Sequence, residues 1–118
     1  MKSILIVDDE AGIRGLYESE LQSEGFKTVS VASGEEALDY VGFNKNVDLV
    51  ILDIKMDKMD GLEVLEELRS RINAVPIILN SAYSTYKNNF TSWLADAYLV
   101  KSADLSELKD KVRELLAF

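Results

Sequence analysis

Two carboxylates stand side by side at Asp8-Asp9 and a third, Asp53, closes an apolar run. A hydroxyl, Ser81, follows another such run, and an ammonium, Lys101, follows a further one. The chain contains no histidine and no cysteine. That rules out a Ser-His-Asp triad, imidazole acid–base catalysis, His- or Cys-ligated metals and disulfides. Carboxylates, hydroxyls and lysines are left to carry any chemistry. Three carboxylates brought together repel, and at least one would take up a proton. A divalent cation removes that conflict and keeps all of them ionised. All-oxygen ligation suits Mg²⁺ or Mn²⁺ rather than zinc. With a lysine and a hydroxyl beside it, such a site binds phosphoryl groups: cation and ammonium neutralise phosphoryl oxygens, and the hydroxyl donates a hydrogen bond to one. An aspartate can itself be the nucleophile, forming an acyl phosphate.

The elements around these residues determine whether they meet. Leu49-Val50-Ile51-Leu52 is short, continuous and apolar, the pattern of a strand buried on both faces. Asp53 therefore falls at the carboxyl end of a buried strand, the edge at which open α/β sheets bind ligands. Ser3 to Val7 is a second such run and leads into Asp8-Asp9. Thr28 to Ala32 alternates apolar and polar residues, as a half-exposed edge strand does. Val75 to Leu79 and Ala97 to Val100 supply two more strands, ending in Asn80-Ser81 and in Lys101.

Amphipathic helices are expected between the strands. Ile13, Leu16, Tyr17 and Leu21 share one helical face, and Gly25 stops that helix. Gly15 within it costs up to about 1 kcal/mol relative to alanine; a close packing contact could explain it, but the sequence does not show one. Ser33 and Glu36 form a capping box ahead of Ala37, Leu38 and Val41. Asp60 caps a helix carrying Leu62, Leu65 and Leu68, and Gly61 lets the backbone turn tightly beside Asp53. Residues 82–95 place Tyr83, Tyr86, Phe90 and Trp93 at roughly helical spacing among weak helix formers, so a short helix is expected there. Asp104 to Glu107 opens a last helix with Leu105, Leu108, Val112, Leu115 and Leu116 on one face. Five strands alternating with five helices imply right-handed crossovers and a five-stranded parallel sheet covered on both faces, an α/β fold. All strand carboxyl ends then share one edge, where Asp8, Asp9, Asp53, Ser81 and Lys101 converge.

The 118 residues form one domain, 1–118. A net charge of −8, from 21 acidic and 13 basic residues, argues against direct nucleic-acid binding. No apolar run approaches the roughly 20 residues that span a bilayer, and Met1-Lys2-Ser3 does not open a signal peptide. A cytoplasmic location fits these features. Taken singly, each residue has a plainer reading: Asp8 as a helix cap, Asp53 as the start of a turn, Ser81 as a strand-end cap, Lys101 as a solvated charge and Tyr98 as packing. Those readings must all hold at once at separate strand ends, which favours a site.

Asp8-Asp9, Asp53 with Met56 and Asp60-Gly61, Ser81-Ala82, and Tyr98 three residues before Lys101 together resemble the response-regulator receiver domain of two-component signalling, over essentially the whole chain. The resemblance implies a flavodoxin-like, doubly wound sheet of order 2-1-3-4-5. It implies that Asp53 accepts a phosphoryl group from a phosphohistidine on a sensor histidine kinase or a histidine phosphotransfer protein. It also implies Mg²⁺ bound by Asp9, by Asp8 through a water, by Asp53 and by the backbone carbonyl of Lys55. Ser81 and Tyr98 take switch roles, the hydroxyl moving toward the phosphoryl group and the ring following. The domain is then no turnover enzyme but a phosphoacceptor that catalyses its own phosphorylation and slow dephosphorylation.

Three departures stand out. Ser102 follows Lys101 where the family usually has proline, commonly after a cis peptide, and a cis bond before a non-proline residue costs about 2.5–4 kcal/mol. Asp57 stands where proline is frequent. The interval from Ser81 to Lys101 is short, in keeping with a curtailed fourth helix. Two other functions are weighed against the first. A Mg²⁺-dependent phosphohydrolase with an aspartyl nucleophile resembles the haloacid dehalogenase family, whose D-x-D-x-[TV] motif is absent from Asp8-Asp9-Glu10-Ala11. A receiver-like interaction module that is never phosphorylated would have no need of all five strand-end residues. The downstream target, and whether the domain acts alone or within a longer chain, stay open.

Overall fold

The computed structural model describes residues 1–43, 46–54, 61–72, 74–82 and 94–116. In chain order these form β1 (Ser3–Val7), α1 (Ala11–Ser23), β2 (Lys27–Val31), α2 (Gly34–Phe43), β3 (Leu49–Leu52), α3 (Gly61–Arg71), β4 (Ile77–Ser81), β5 (Ala97–Val100) and α4 (Ser106–Leu115). The strands make one parallel sheet in the order β2-β1-β3-β4-β5. This is the expected flavodoxin-like topology. Four helices occur among the described residues; the fifth expected one, with Tyr83, Tyr86, Phe90 and Trp93, falls on residues 82–95, which lie mostly outside them, as do Lys55, Met56, Asp57 and Asp60.

The two-residue period of a strand divides the core into two layers. Leu5 and Val7, Val50 and Leu52, and Ile77 and Leu79 pack with Ala37, Val41, Leu62, Val64, Leu65 and Leu68 of α2 and α3. Ile4 and Ile6, Leu49 and Ile51, and Ile78 pack with Tyr17, Leu21, Leu105, Leu108 and Val112 from the other side, where α1 and α4 lie. Each fully buried Leu or Ile contributes about 1.5–3 kcal/mol, so the central strands anchor the sheet edge that carries the site. β2, with partly exposed residues throughout, is the edge strand the alternation implied.

Local chemistry sets the boundaries. Gly25, at φ +95°, ends α1 in a Schellman turn: Phe26 N–H bonds to the Leu21 carbonyl and Gly25 N–H to that of Gln22. Ser33 accepts the Glu36 N–H at 3.2 Å and donates its hydroxyl to the Glu36 carboxylate. Asp104 accepts the Ser106 N–H and hydroxyl at the start of α4, and these bonds hold its carboxyl below the usual range.

Two expectations are corrected. β4 begins after Pro76 and runs through Asn80 and Ser81, because Ser81 pairs with Val100; both residues belong to the strand rather than lying beyond it. Leu16 is 44% exposed, since α1 turns Tyr17 and Leu21 inward instead. No packing contact accounts for Gly15: a Cβ built there would meet nothing within 4 Å. No cis peptide bond occurs among the described residues, so the Lys101–Ser102 bond is trans.

Candidate functional site

The last rungs of the sheet hold the site residues in place. The Asp8 N–H bonds to the Val31 carbonyl at 3.2 Å, the Asp53 N–H to the Val7 carbonyl at 3.0 Å, and the Lys101 N–H to the Ser81 carbonyl at 2.6 Å. Each residue just beyond a strand thus uses the final carbonyl of the neighbouring strand, which fixes its backbone before any side-chain contact forms.

The side chains of Asp8, Asp53 and Lys101 then meet at one edge, with Ser81 buried at the end of β4. Asp8 is 2% exposed, Asp53 4% and Ser81 0%. The Lys101 ammonium lies 2.8 Å from Oδ2 of Asp8 and 3.5 Å from Oδ1 of Asp53. The other oxygen of Asp8 accepts the Glu10 N–H at 3.0 Å. Carboxylate oxygens of Asp8, Asp9 and Glu10 lie within 4.8 Å of one another. Such a set of hard oxygen donors fits Mg²⁺ or Mn²⁺. Glu10 was not among the expected ligands, although it is the third acid of the run.

Burial pushes the Asp53 carboxyl up to about 6, against the pull of the Lys101 ammonium and with added repulsion from Asp8 and Asp9. Burial also disfavours the charged form of Lys101, but its hydrogen bond to Asp8 and the nearby Asp53 outweigh this and hold the ammonium above its ordinary value. The site thus keeps its lysine charged and leaves Asp53 in need of a further cation. A buried carboxylate beside one ammonium and a set of oxygen donors can bind a metal, and it can attack an electrophilic phosphorus.

Gly61 approaches the backbone just past β3 closely. Its N–H bonds to the Ile54 carbonyl at 2.6 Å, and a Cβ there would overlap the Asp53 carbonyl oxygen and the Ile54 Cα. The start of α3 therefore sits directly on the backbone of Asp53. Tyr98 is partly buried in β5 and packs on the α2/α3 layer. Two features escaped sequence reasoning. Arg14, on the first turn of α1, donates to the Asp8 carbonyl at 2.7 Å and braces the acidic loop. Asn80 donates to the Tyr17 hydroxyl at 2.7 Å in a buried pair next to Ser81. Asn80 read as the polar residue just past the strand Val75 to Leu79, and Tyr17 as one of the residues on the apolar face of its helix.

A doubly wound parallel sheet with an acidic pair, a buried aspartate, a hydroxyl and a lysine at one edge defines the phosphoacceptor module of two-component signalling. The family model for the response regulator receiver domain matches residues 4–113, and the chain belongs to that family. It is 51% identical to the response regulator TrrA of Thermotoga maritima, whose structure was solved in complex with Mg²⁺ and BeF; the match covers 98% of this chain and 100% of that one, with a TM-score of 0.93. A structure of the histidine kinase ThkA in complex with TrrA matches with a TM-score of 0.91, again at 51% identity, over 98% of this chain and 99% of that one. Sporulation initiation phosphotransferase F of Bacillus subtilis is 35% identical over 117 residues, 98% of this chain and 94% of that protein. A probable transcriptional regulator, ycf27, of Porphyridium aerugineum is 39% identical over 98% of this chain and 48% of its own length. The chain spans about half the length of that relative and of its counterparts in other algae.

Proposed function

We propose that Asp53 is the phosphoryl acceptor of this receiver domain and that its donor is a phosphohistidine on a sensor histidine kinase or a histidine phosphotransfer protein. One observation carries the reading: the buried Asp53 carboxylate shares the Lys101 ammonium with Asp8, beside the Asp8-Asp9-Glu10 oxygen cluster. The similarity to TrrA, solved with Mg²⁺ and BeF and with a kinase, supports it. Asp8, Asp9, Asp53 and the Lys55 carbonyl would hold Mg²⁺; Lys55 lies outside the described residues. When bound, the cation neutralises carboxylate and phosphoryl charge.

In the transfer, an Asp53 carboxylate oxygen attacks phosphorus and the P–N bond of the phosphohistidine breaks. The imidazole leaves and takes a proton from solvent, and an acyl phosphate remains on Asp53. Lys101 turns its charge to a phosphoryl oxygen, and the Ser81 hydroxyl donates to another. Tyr98 follows Ser81, and the surface around β4 and β5 changes its affinity for a downstream partner. Water later attacks the acyl phosphate, releasing inorganic phosphate and restoring the carboxylate. The domain thus catalyses its own phosphorylation and slow dephosphorylation, and acts in the cytoplasm as a relay or output element. No described helix is long and apolar enough to cross a membrane.

The test is phosphotransfer from a phosphorylated kinase domain or from acetyl phosphate. The parent is expected to take up label in Mg²⁺ and lose it in EDTA, and Asp53→Asn to take up none. Equal labelling of Asp53→Asn would overturn the assignment. Steady turnover of phosphate monoesters would favour a phosphohydrolase instead.

A further inference from the structure

On β4 the side facing α1 and α4 holds Ile78, and the next residue of the same parity is Asn80. An apolar residue would continue the pattern. Instead the Asn80 amide donates to the Tyr17 hydroxyl at 2.7 Å, and both residues are 3% exposed. Such a pair gives little net stability over two apolar side chains of similar size, because both partners are desolvated. Its placement is more telling than its strength. Asn80 immediately precedes Ser81, whose carbonyl holds the Lys101 N–H. Tyr17 belongs to α1, the helix that follows the acidic pair. The bond therefore joins the helix behind Asp8-Asp9 to the strand end bearing Ser81, across the intervening β1 and β3. A small pocket of about 20 Å³, open toward the surface at Ser102, Asp104 and Glu107, reaches in to Tyr17 and Asn80. A directed hydrogen bond thus ties the end of β4 to α1, in addition to its pairing with β5.

We propose that Tyr17 and Asn80 are positioning residues for phosphoryl transfer, their hydrogen bond setting the end of β4 so that Ser81 and, through its carbonyl, Lys101 stand where a phosphoryl group on Asp53 requires them. The proposal rests on the reading of Asp53 as phosphoacceptor. A displacement of about 1 Å in such a group costs up to about 10²-fold in rate, so the pair acts on kinetics more than on folding.

Tyr17→Phe, Asn80→Leu and the double variant test it, the last replacing the polar pair by apolar groups of similar size. Phosphorylation by acetyl phosphate and subsequent dephosphorylation are followed by intact mass, well below every melting temperature, beside a Mg²⁺ titration. All three variants are expected to slow phosphorylation about tenfold or more while Mg²⁺ Kd stays within about twofold of the parent. The double variant is expected to melt near the parent and still react slowly. A double variant that reacts within about twofold of the parent would make the pair structural and overturn the proposal, as would a rate loss matched by an equal loss of Mg²⁺ affinity. A parent that takes up no phosphoryl group overturns the reading of Asp53 itself, which separates the two failures.

Discussion

The Lys101 ammonium stands closer to Asp8, at 2.8 Å, than to Asp53, at 3.5 Å. Lys101 thus divides its charge between a residue of the acidic pair and the proposed acceptor. Lys101→Met leaves two buried carboxylates without their ammonium. Phosphorylation by acetyl phosphate is expected to fall by about 10²-fold, the usual cost of one preorganised stabilising group. Mg²⁺ affinity is expected to hold or rise, because a competing cation is gone. Parallel rate measurements and Mg²⁺ titrations check this; an unchanged rate contradicts it.

The raised Asp53 carboxyl has a consequence for stability. Its folded value, about 6, exceeds the ordinary 3.8, so between those limits the folded state binds more protons than the unfolded one. Stability from this group is full below about pH 4 and falls as pH rises toward 6. Asp53→Asn lacks that loss. In metal-free buffer its advantage over the parent is expected to be small at pH 4, to grow through pH 5 and to level off above 6 at no more than about 3 kcal/mol. Urea unfolding across that range measures it. A constant difference would show that Asp53 is not destabilised by burial beside Asp8.

Two glycines should respond oppositely to alanine. Gly61→Ala drives a methyl into the backbone of Asp53 and Ile54, costing about 1–3 kcal/mol and lowering phosphorylation because the carboxylate moves. Gly15→Ala meets nothing within 4 Å on an α1 turn and should stabilise the fold by about 0.5–1 kcal/mol. Thermal melts of the two variants decide; stabilisation by Gly61→Ala would contradict the contact.

Much of this was legible because it depends on two periods. Alternating apolar runs and amphipathic helices gave the five-stranded α/β layout, and the strand ends then located Asp8, Asp9, Asp53, Ser81 and Lys101. What escaped depended on distances that no pattern encodes. At Gly61 the close contact with the backbone of Asp53 and Ile54, just past β3, depends on such a distance. Leu16 read as core because its apolar character matches the helical spacing, yet α1 rotates it outward in favour of Tyr17 and Leu21. Tyr17 and Asn80 lie 63 residues apart, and only the fold brings their polar atoms together.

Metal dependence gives a further prediction. Mg²⁺ binding to the folded state raises stability by mass action, about 2.7 kcal/mol at a concentration 100 times Kd. Millimolar Mg²⁺ should raise the melting temperature of the parent, and Asp9→Ala should remove most of that shift. Equal shifts in both would move the ligand role from Asp9 to its neighbours.

The most direct measurement is chemical mapping of the phosphorylated residue. After reaction with acetyl phosphate and Mg²⁺, reduction with borohydride converts an aspartyl phosphate to homoserine, which peptide mass spectrometry locates. The account predicts homoserine at position 53 and at no other aspartate. Homoserine at Asp8 or Asp9, or none in a protein that has gained phosphate, would contradict it.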